Sequence, residues 1–544
     1  MKKIVECVPN FSEGQDQQVI EAIAAAIHGT SGCSLLDVDP GRSTHRTVYT
    51  FVGDPQVIVE GALAAARVAR KRIDMRKHRG EHPRMGALDV CPFVPVSGVS
   101  MAECVAIAEE FGRRLAEELH VPVYLYEEAA RQEYRRRLAD IRDGEYEGLA
   151  EKITDGRWLP DFGPAAFVPE WGATVTGARM FLIAYNVNVL GTSNQAHRIA
   201  LNLRETGRGD GQPGRLPAVQ GMGWYVKEYH MAQVTVNIMD YRTTPIHVLY
   251  EEVKKEAEAL GVGVAGSEIV GLVPREALLA AADYYIRREN IFIHREDQKI
   301  RLATERLGLN AITPFIAQKR VIEYLVAEPP NEPLASLSVR GFIEEVAARS
   351  SAPGGGSASA MMAAVGAALG AMVAQLTYGV RKFEDVGKQM QQALPVLDGL
   401  CQQLIPMIDA DTSAFNEYML ALKLPKNTAE EKSSRRLAMQ AGLKTAVVVP
   451  LTTMRLGDSV WDSLAIVARH GNPASASDVQ VGARALETGI WGAWQNVLIN
   501  LRNIDDHEYI EAIRSEADVL ASRAACRCQE ILAIIDQRIS RKDS

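Results

Sequence analysis

His82 lies in the run Arg79-Gly80-Glu81-His82-Pro83-Arg84-Met85-Gly86-Ala87-Leu88-Asp89-Val90, where glycine and proline favour a turn and an apolar, strand-like stretch follows. A histidine held on such a turn exchanges protons near neutral pH, so this spacing points to acid–base catalysis by His82. The same letters fit a second chemistry. His78-Arg79-Gly80-Glu81-His82 matches H-x-x-E-H, which in zinc peptidases requires both histidines on one helical face. Gly80 costs about 1 kcal/mol in a helix interior and Pro83 biases His82 toward extended geometry, so the helix that zinc would need is disfavoured. A histidine satisfied within the fold is the remaining alternative, and a loop-borne acid/base is the preferred reading.

Charge surrounds this segment. Arg67, Arg70, Lys71, Arg72, Arg76, Lys77, Arg79 and Arg84 concentrate positive residues near His82 and are expected to attract an anionic substrate. Arg131 and Arg135 to Arg137 form a second group, which is equally well a solvated helix face. The whole chain carries a formal net charge of -8, which argues against a general nucleic-acid binder. Its seven cysteines are odd in number and include no C-x-x-C pair, so neither a zinc ribbon nor a redox couple is indicated and a reducing compartment is expected. The opening Met1-Lys2-Lys3-Ile4-Val5-Glu6-Cys7 reads as a first strand ended by Pro9 rather than a signal peptide, so a cytoplasmic location is expected.

The elements that must position these residues follow from periodicity. A chain of 544 residues exceeds one core and implies roughly three or four domains of ordinary size. Up to about Glu128, strands and helices alternate, with Asp54 as N-cap and Pro55 in the first turn of one helix. A similar order returns after Gly177: a strand from Met180 to Leu190, a helix after Thr192, the alternating strand Gln233 to Ile238, and a helix opened by Thr244-Pro245. Val234, Val236 and Ile238 alternate cleanly, so one sheet face is buried and helices cover that side only. These patterns predict an α+β N-terminal half of two related βαββαβ-type subdomains, with a natural cleft between them. Between the subdomains, Trp158 to Gly172 combines three prolines with aromatic rings. It reads either as a surface linker or as a platform for stacking a planar heterocycle.

Ala327 to Leu337 breaks the periodicity, and every long segment after it reads as helix. The expected division is 1–180 and 181–326 for the two subdomains, 327–337 for a linker, and 338–544 for an all-α helical bundle. The uncharged stretch Ser350 to Val380 is long enough to raise a membrane span, but its alanine, glycine and serine make it weakly hydrophobic. Gly366-Ala367-Ala368-Leu369-Gly370 suits close helix contact, and a buried helix in a soluble bundle is expected instead. Pro353-Gly354-Gly355-Gly356-Ser357 opens that helix and presents free N–H groups to an anion; without the lysine of a P-loop it does not imply nucleotide.

A second candidate site lies in this part. Leu397, Leu400, Leu404, Met407, Asp411, Phe415 and Tyr418 follow spacings of three and four, placing Asp411 on the apolar stripe and Asp409 off it. Burial would raise the pKa of Asp411 and let it hold or deliver a proton. An aspartate capping a neighbouring helix is the plainer alternative. The turn-rich loop His470 to Asp478 adds Asn472, Ser477 and Asp478 as further polar groups, or as caps for the next helix.

Taken together these motifs resemble the bifunctional formimidoyltransferase-cyclodeaminase family, over essentially the whole chain. Val8 to Gly14, Arg46 to Gly53, the His82 segment, Gly172 to Arg179 and Gln212 to Leu216 look like the transferase motifs in order. Pro353 to Ser357, Asp409 to Asp411, Leu424 to Thr428 and Asn496 to Leu501 look like the cyclodeaminase half. The resemblance implies transfer of a formimino group from N-formimino-L-glutamate to tetrahydrofolate in histidine breakdown, with His82 as acid/base. It implies folate binding at Gly163-Pro164-Ala165-Ala166-Phe167-Val168-Pro169-Glu170-Trp171-Gly172 and, by analogy, orienting roles for Asp39, Arg46, Arg84 and Asp89. The helical half would close 5-formiminotetrahydrofolate to 5,10-methenyltetrahydrofolate with release of ammonia, using Asp411. Tetrahydrofolate, as a polyglutamylated co-substrate, is then the cofactor, no metal is required, and a ring-like homo-octamer is implied. Pro217-Ala218 stand where the family usually carries adjacent lysines, which bears on how a polyglutamate tail is held. The competing readings are a folate-binding scaffold that has lost one or both activities, and a zinc peptidase.

Overall fold

The computed structural model describes the chain except residues 1–2, 43, 81, 210, 327–330 and 541–544. It divides into two compact units, Met1–Ala327 and Glu328–Ser544. The first begins with β1 (Ile4–Cys7) and β2 (Asn10–Phe11), one line of chain interrupted where Pro9 lacks an N–H for the ladder. Then come β3 (Cys33–Gly41), β4 (Arg46–Gly53), β5 (Leu88–Ser97), β6 (Val123–Glu127) and β7 (Thr174–Ala178). Across the sheet the order is β3, β4, then β1 and β2 side by side with both β4 and β5, then β7 and β6. A second sheet holds β8 (Ile183–Leu190), β9 (Val219–Val226), β10 (Met231–Ile238) and β11 (Gly263–Val270) in the order β11-β8-β10-β9.

Both sheets share one wiring. In each, strand, helix, hairpin, helix and strand follow in turn, and the first strand lies between the third and the fourth. The helices involved are Gln17–His28 and Ile58–Arg72 in the first, Ser193–Leu203 and Ile246–Ala259 in the second. Helix Gln17–His28 shows why they form: Asp16 accepts from the Gln18 and Val19 N–H groups, and Val19, Ile20, Ile23 and Ile27 fall on one buried face. Each such side chain contributes about 1.5–3 kcal/mol on burial. Val234, Val236 and Ile238 are buried as their alternation predicts.

Several local expectations shift. The helix after Asp54-Pro55 starts at Ile58, because Asp54 and Pro55 form a turn in which Asp54 Oδ1 accepts from Gln56 N–H. Thr244 does not cap helix Ile246–Ala259; its hydroxyl donates to the Pro217 carbonyl instead. The sequence reading has no strand at Thr174–Ala178, yet β7 runs parallel between β5 and β6. Part of the cationic cluster around His82 is paired with carboxylates: Arg67 with Glu60 and Glu118, Arg76 with Asp74 and Glu170, and Arg84 with Glu145 and Glu147. Arg135, in a group equally well read as a solvated helix face, is buried among Tyr124, Tyr134 and Trp158 and pairs with Asp161.

The second unit is helical: Val339–Val346, Gly355–Thr377, Gly387–Leu422, Ala429–Asp458, Trp461–His470, Ala476–Leu501 and His507–Ser540. Among the described residues two helices are long and apolar enough to cross a membrane, and one of them is Gly355–Thr377. In this fold 13 of its 23 residues are buried, which makes it the core helix of the bundle. A methyl at Gly366 would come within 2.7 Å of the Gly482 carbonyl oxygen, so the small residues serve close approach to helix Ala476–Leu501. Residues 327–330 of the expected linker lie outside the described residues. Beyond them the chain is anchored: Leu334 is buried with Phe342, Ala360 and Ile408.

Candidate active sites

His82 is held from both sides. Downstream, Met85, Ala87 and Leu88 are buried and lead into β5. Upstream, Gly80 lies so close to Thr44 that a methyl there would sit 2.5 Å from its carbonyl oxygen, and the His45 and His78 rings stack at 4.3 Å. The His82 Nδ1–H donates to the Pro83 carbonyl at 2.7 Å, which leaves Nε2 with a lone pair, and Arg46 Nη1 donates to Nε2. Arg46 is fixed in turn by Asn10 Oδ1, which accepts from its Nε at 2.8 Å. Burial first and the Arg46 charge second lower the His82 pKa to about 4, so the imidazole is neutral at pH 7. Burial likewise lowers Arg46 to about 10.

The H-x-x-E-H pattern has no helix beneath it, since residues 75–77 turn and 78–80 are irregular. His78 Nε2–H donates to the His45 carbonyl at 2.8 Å and its Nδ1 accepts from Arg84 Nε at 3.3 Å. Glu81 lies outside the described residues.

The four orienting candidates separate. Arg46 touches His82. Asp89 accepts from Met85 N–H at 2.9 Å and from Arg142 Nη2 at 2.5 Å, and its charge acts on both His82 and Arg46. Arg84 points away from the imidazole: it is buried, and its guanidinium ties the loop to Glu145 and Glu147 of helix Glu145–Lys152. Asp39 is exposed on β3, opposite Val48 of β4. Sequence reasoning missed Asn10 and Arg142. Asn10 stood in a quoted motif, whereas nothing local marks Arg142.

The segment Gly163 to Gly172 is two things at once. Gly163, Ala165, Ala166 and Pro169 are exposed, and Gly163 and Pro164 line an open groove of about 510 Å³ with Phe162, Arg113, Glu117 and His120. Trp171 is fully buried in the core, with its Nε1–H donating to Thr174 Oγ1 at 3.0 Å, so its ring offers no stacking face. Gly172, at φ +79°, lies against the Met85 carbonyl, and Ala173 N–H donates to that carbonyl at 3.0 Å. This end of the segment therefore clamps the His82 loop.

In the helical unit the buried stripe runs through Leu397, Leu400, Leu404 and Ile408, and Asp409 is the more shielded of the two aspartates. Asp409 accepts from the Leu334 and Ala335 N–H groups at 2.7 and 3.0 Å. Asp411 is half-buried and meets the first turn of helix Gly355–Thr377, where a methyl at Gly356 would overlap its carboxylate. Burial raises its pKa, opposed by hydrogen bonds from the Ser357 N–H and hydroxyl. The anion expected at the Gly-rich helix start is thus the chain's own carboxylate, and the capping alternative and the catalytic one describe the same contact. The one Ser357 hydroxyl proton is shared between this carboxylate and the Ile408 carbonyl, which lies 2.7 Å from Oγ. Asn496 Nδ2 approaches Gly355, so three of the four quoted motifs of this half converge. The loop around Asn472 does not join them. Asn472 N–H donates to Thr377 Oγ1 at the far end of the same helix, and its side chain caps Ala474.

Three family models match the chain: the formiminotransferase domain, N-terminal subdomain, over residues 4–179, the formiminotransferase domain over 184–327, and formiminotransferase-cyclodeaminase over 338–519. The formimidoyltransferase-cyclodeaminase of Dictyostelium discoideum is 56% identical over 540 residues, covering 99% of this chain and 100% of that protein. The one from Rattus norvegicus is 54% identical over 539 residues, covering 99% and 100%. Glutamate formimidoyltransferase of Streptococcus pyogenes serotype M1 is 42% identical over 298 residues, covering 54% of this chain and 97% of that protein.

Proposed function

Because the chain belongs to the formimidoyltransferase-cyclodeaminase family, we propose how its two reactions run on the residues described above. It is a bifunctional folate enzyme: it transfers the formimino group of N-formimino-L-glutamate to tetrahydrofolate, then cyclises 5-formiminotetrahydrofolate to 5,10-methenyltetrahydrofolate with release of ammonia. The observation that carries the residue assignment is the His82 ring held between the Pro83 carbonyl and the Arg46 guanidinium, an arrangement that fits a neutral imidazole protonated at Nδ1 with its lone pair at Nε2.

In the transferase half, a substrate carboxylate draws the Arg46 guanidinium toward itself and releases Nε2. Nε2 then takes the N5 proton of tetrahydrofolate as N5 bonds to the amidine carbon, which becomes tetrahedral. The same proton goes to the departing glutamate nitrogen as the tetrahedral carbon collapses, which restores the neutral imidazole. Asp89, holding Met85 N–H and Arg142, keeps the loop in register, and the exposed part of Gly163 to Gly172 contacts the folate. In the helical half, N10 attacks the formimino carbon as the Asp411 carboxyl gives its proton to the imine nitrogen; the resulting carboxylate takes the N10 proton and passes it to the amine, which departs as ammonia and leaves the methenyl cation and an ionised Asp411. No step is routed through a metal.

The finer assignments belong to the same proposal: a polyglutamylated tetrahydrofolate, a cytoplasmic location, which seven free cysteines support, and a homo-octamer. Exposed Val365, Met372 and Leu376 on the core helix support assembly through that face. The test is the pair of half-reactions in His82→Ala and Asp411→Ala proteins. Transfer falls by about 10²–10⁴-fold in the first alone, and ammonia release by a similar factor in the second alone. Full activity in either variant removes that residue from its role.

A further inference from the structure

Next to Arg46 stands a histidine that no step above uses. His45 precedes β4 with φ +51°, a left-handed backbone that is uncommon for a residue with a side chain and persists where the surroundings hold it. Its ring lies between two acceptors. Nδ1 is 2.7 Å from the Arg79 carbonyl, and Nε2 is 3.1 Å from Glu13 Oε1. That oxygen also accepts from the Gln15 and Asp16 N–H groups at 2.8 and 2.9 Å, so it is a carboxylate oxygen with no proton to give.

A neutral imidazole has one N–H and would turn a lone pair on one of these two oxygens. Both contacts are met together only when both nitrogens carry protons, as an imidazolium paired with Glu13. The neighbouring ring takes the opposite part. His78 stacks on His45 with 12° between the planes, gives its Nε2 proton to the His45 carbonyl and accepts from Arg84 at Nδ1, so it is neutral. Burial first, and after it the charges of His45 and Arg84, lower its pKa. The charged and titratable groups around His45 are thus Glu13, between β2 and helix Gln17–His28, then His78, Arg79 and Arg84 around the His82 loop, and Arg46 on β4. Of these only Glu13 is an acid, so the ring's charge leans on it. Glu13 is itself fixed: the Thr47 hydroxyl donates to its carbonyl, and a methyl at Gly14 would lie 2.6 Å from the Arg46 nitrogen.

We propose that His45 is a positioning residue for formimino transfer: as an imidazolium between Glu13 and the Arg79 carbonyl it holds the His82 loop against β4, and loss of one proton to solvent releases the loop and sets the alkaline limit of the reaction. The proposal rests on the transferase reading, in which His82 is the base. Three consecutive residues grip the loop from one side: Thr44 against Gly80, His45 on the Arg79 carbonyl, and Arg46 on His82. Letting go of the Arg79 carbonyl carries Nε2 of His82 away from the reacting atoms while leaving that imidazole chemically intact. The two histidines then bound the working range from opposite sides, since His82 must be without its second proton and His45 must keep both of its own.

The test uses the full chain and follows kcat/KM for formimino transfer across the pH range in which the protein stays folded. In Glu13→Gln the amide oxygen still accepts from Gln15 and Asp16 but the charge beside His45 is gone, so the alkaline limb moves down by about one pH unit while the acid limb stays. In His45→Asn, a residue that tolerates the left-handed backbone, transfer falls about 10-fold or more and this limb disappears. His45→Arg keeps its charge at every pH, so it retains more transfer than His45→Asn and also lacks the limb. Ammonia release from supplied 5-formiminotetrahydrofolate is unchanged in all of these variants, which separates the effect from misfolding. An alkaline limb that stays in place in Glu13→Gln or in His45→Asn, or two limbs that move together, overturns the proposal. Trypsin cleavage after Arg79, normalised to an unstructured peptide, reads the loop without turnover: it rises several-fold at high pH in the wild type and does so at lower pH in Glu13→Gln. That rise in a protein unable to transfer keeps the clamp and overturns the transferase reading instead; cleavage indifferent to pH in an active enzyme overturns the clamp alone.

Discussion

His82 and Asp411 are both withdrawn from water, and withdrawal moves them in opposite directions on the pH scale. Burial takes the imidazole down to about 4 and the carboxyl up, so each is driven toward its uncharged form. For a histidine the uncharged form has a vacant lone pair; for an aspartate it carries a proton. One physical term therefore prepares a base in one half and an acid in the other. Their supports differ as well. His82 sits on a loop fixed by side chains from distant strands, chiefly Arg46, whereas Asp411 sits within a long helix against the first turn of another. The loop site is tunable by charge and the helix site by packing.

The sharpest way to break the comparison is Gly356→Ala. Its methyl occupies the space of the Asp411 carboxylate, so ammonia release from supplied 5-formiminotetrahydrofolate falls by at least about 100-fold while formimino transfer is unchanged. Arg46→Met addresses the other site. Removing the adjacent positive charge lets the His82 pKa rise from about 4 toward the usual 6.5. Catalysis needs the deprotonated ring, so the acid limb of kcat/KM moves up by roughly one pH unit; at pH 7 the ring stays deprotonated, and a fall of about 10-fold there comes instead from losing the guanidinium that draws the substrate carboxylate. An unmoved limb, or an unmoved imidazole titration by NMR, would take the tuning role from Arg46. A smaller effect is expected from Arg84→Met, which removes the tie to Glu145 and Glu147. Both glutamates can be rehydrated, so the loss is about 1–2 kcal/mol, seen as a lower denaturation midpoint with the His82 pKa unchanged. Asp411→Asn gives the smallest shift and the clearest sign. A carboxyl raised above 3.8 in the fold binds its proton more tightly there, and that stabilisation disappears as pH rises through the folded value. Above the folded value the charged form is a net cost, so there the amide raises the melting temperature by about 1–3 °C while ammonia release is lost.

Much of this was legible along the chain. Alternation at Val234 to Ile238, Gly80 and Pro83 around His82, and small residues between Gly366 and Gly370 each encode their environment within a few residues. What stayed hidden depends on partners far apart in sequence. Arg46 and His82 are 36 positions apart, and the partners of Arg67 and Arg84 in the basic cluster, Glu118, Glu145 and Glu147, lie elsewhere in the chain. β7 was missed because five residues of Thr-Val-Thr-Gly-Ala gain their strand character from burial between β5 and β6. Asp409 was placed off the buried stripe because a simple three-and-four count ran through Met407 rather than Ile408, in a helix that continues through Pro406.

The clasp between Asp409 and the Leu334 and Ala335 N–H groups also decides where the helical half can be cut away from the rest. A gene fragment opening at Ser338, where the helices become recognisable, would shed both donors and strand a shielded negative charge two positions from Asp411. The same fragment begun a few codons earlier, ahead of Pro333, keeps them. Severing the two activities is thus a matter of leaving the right peptide on the right side of the cut.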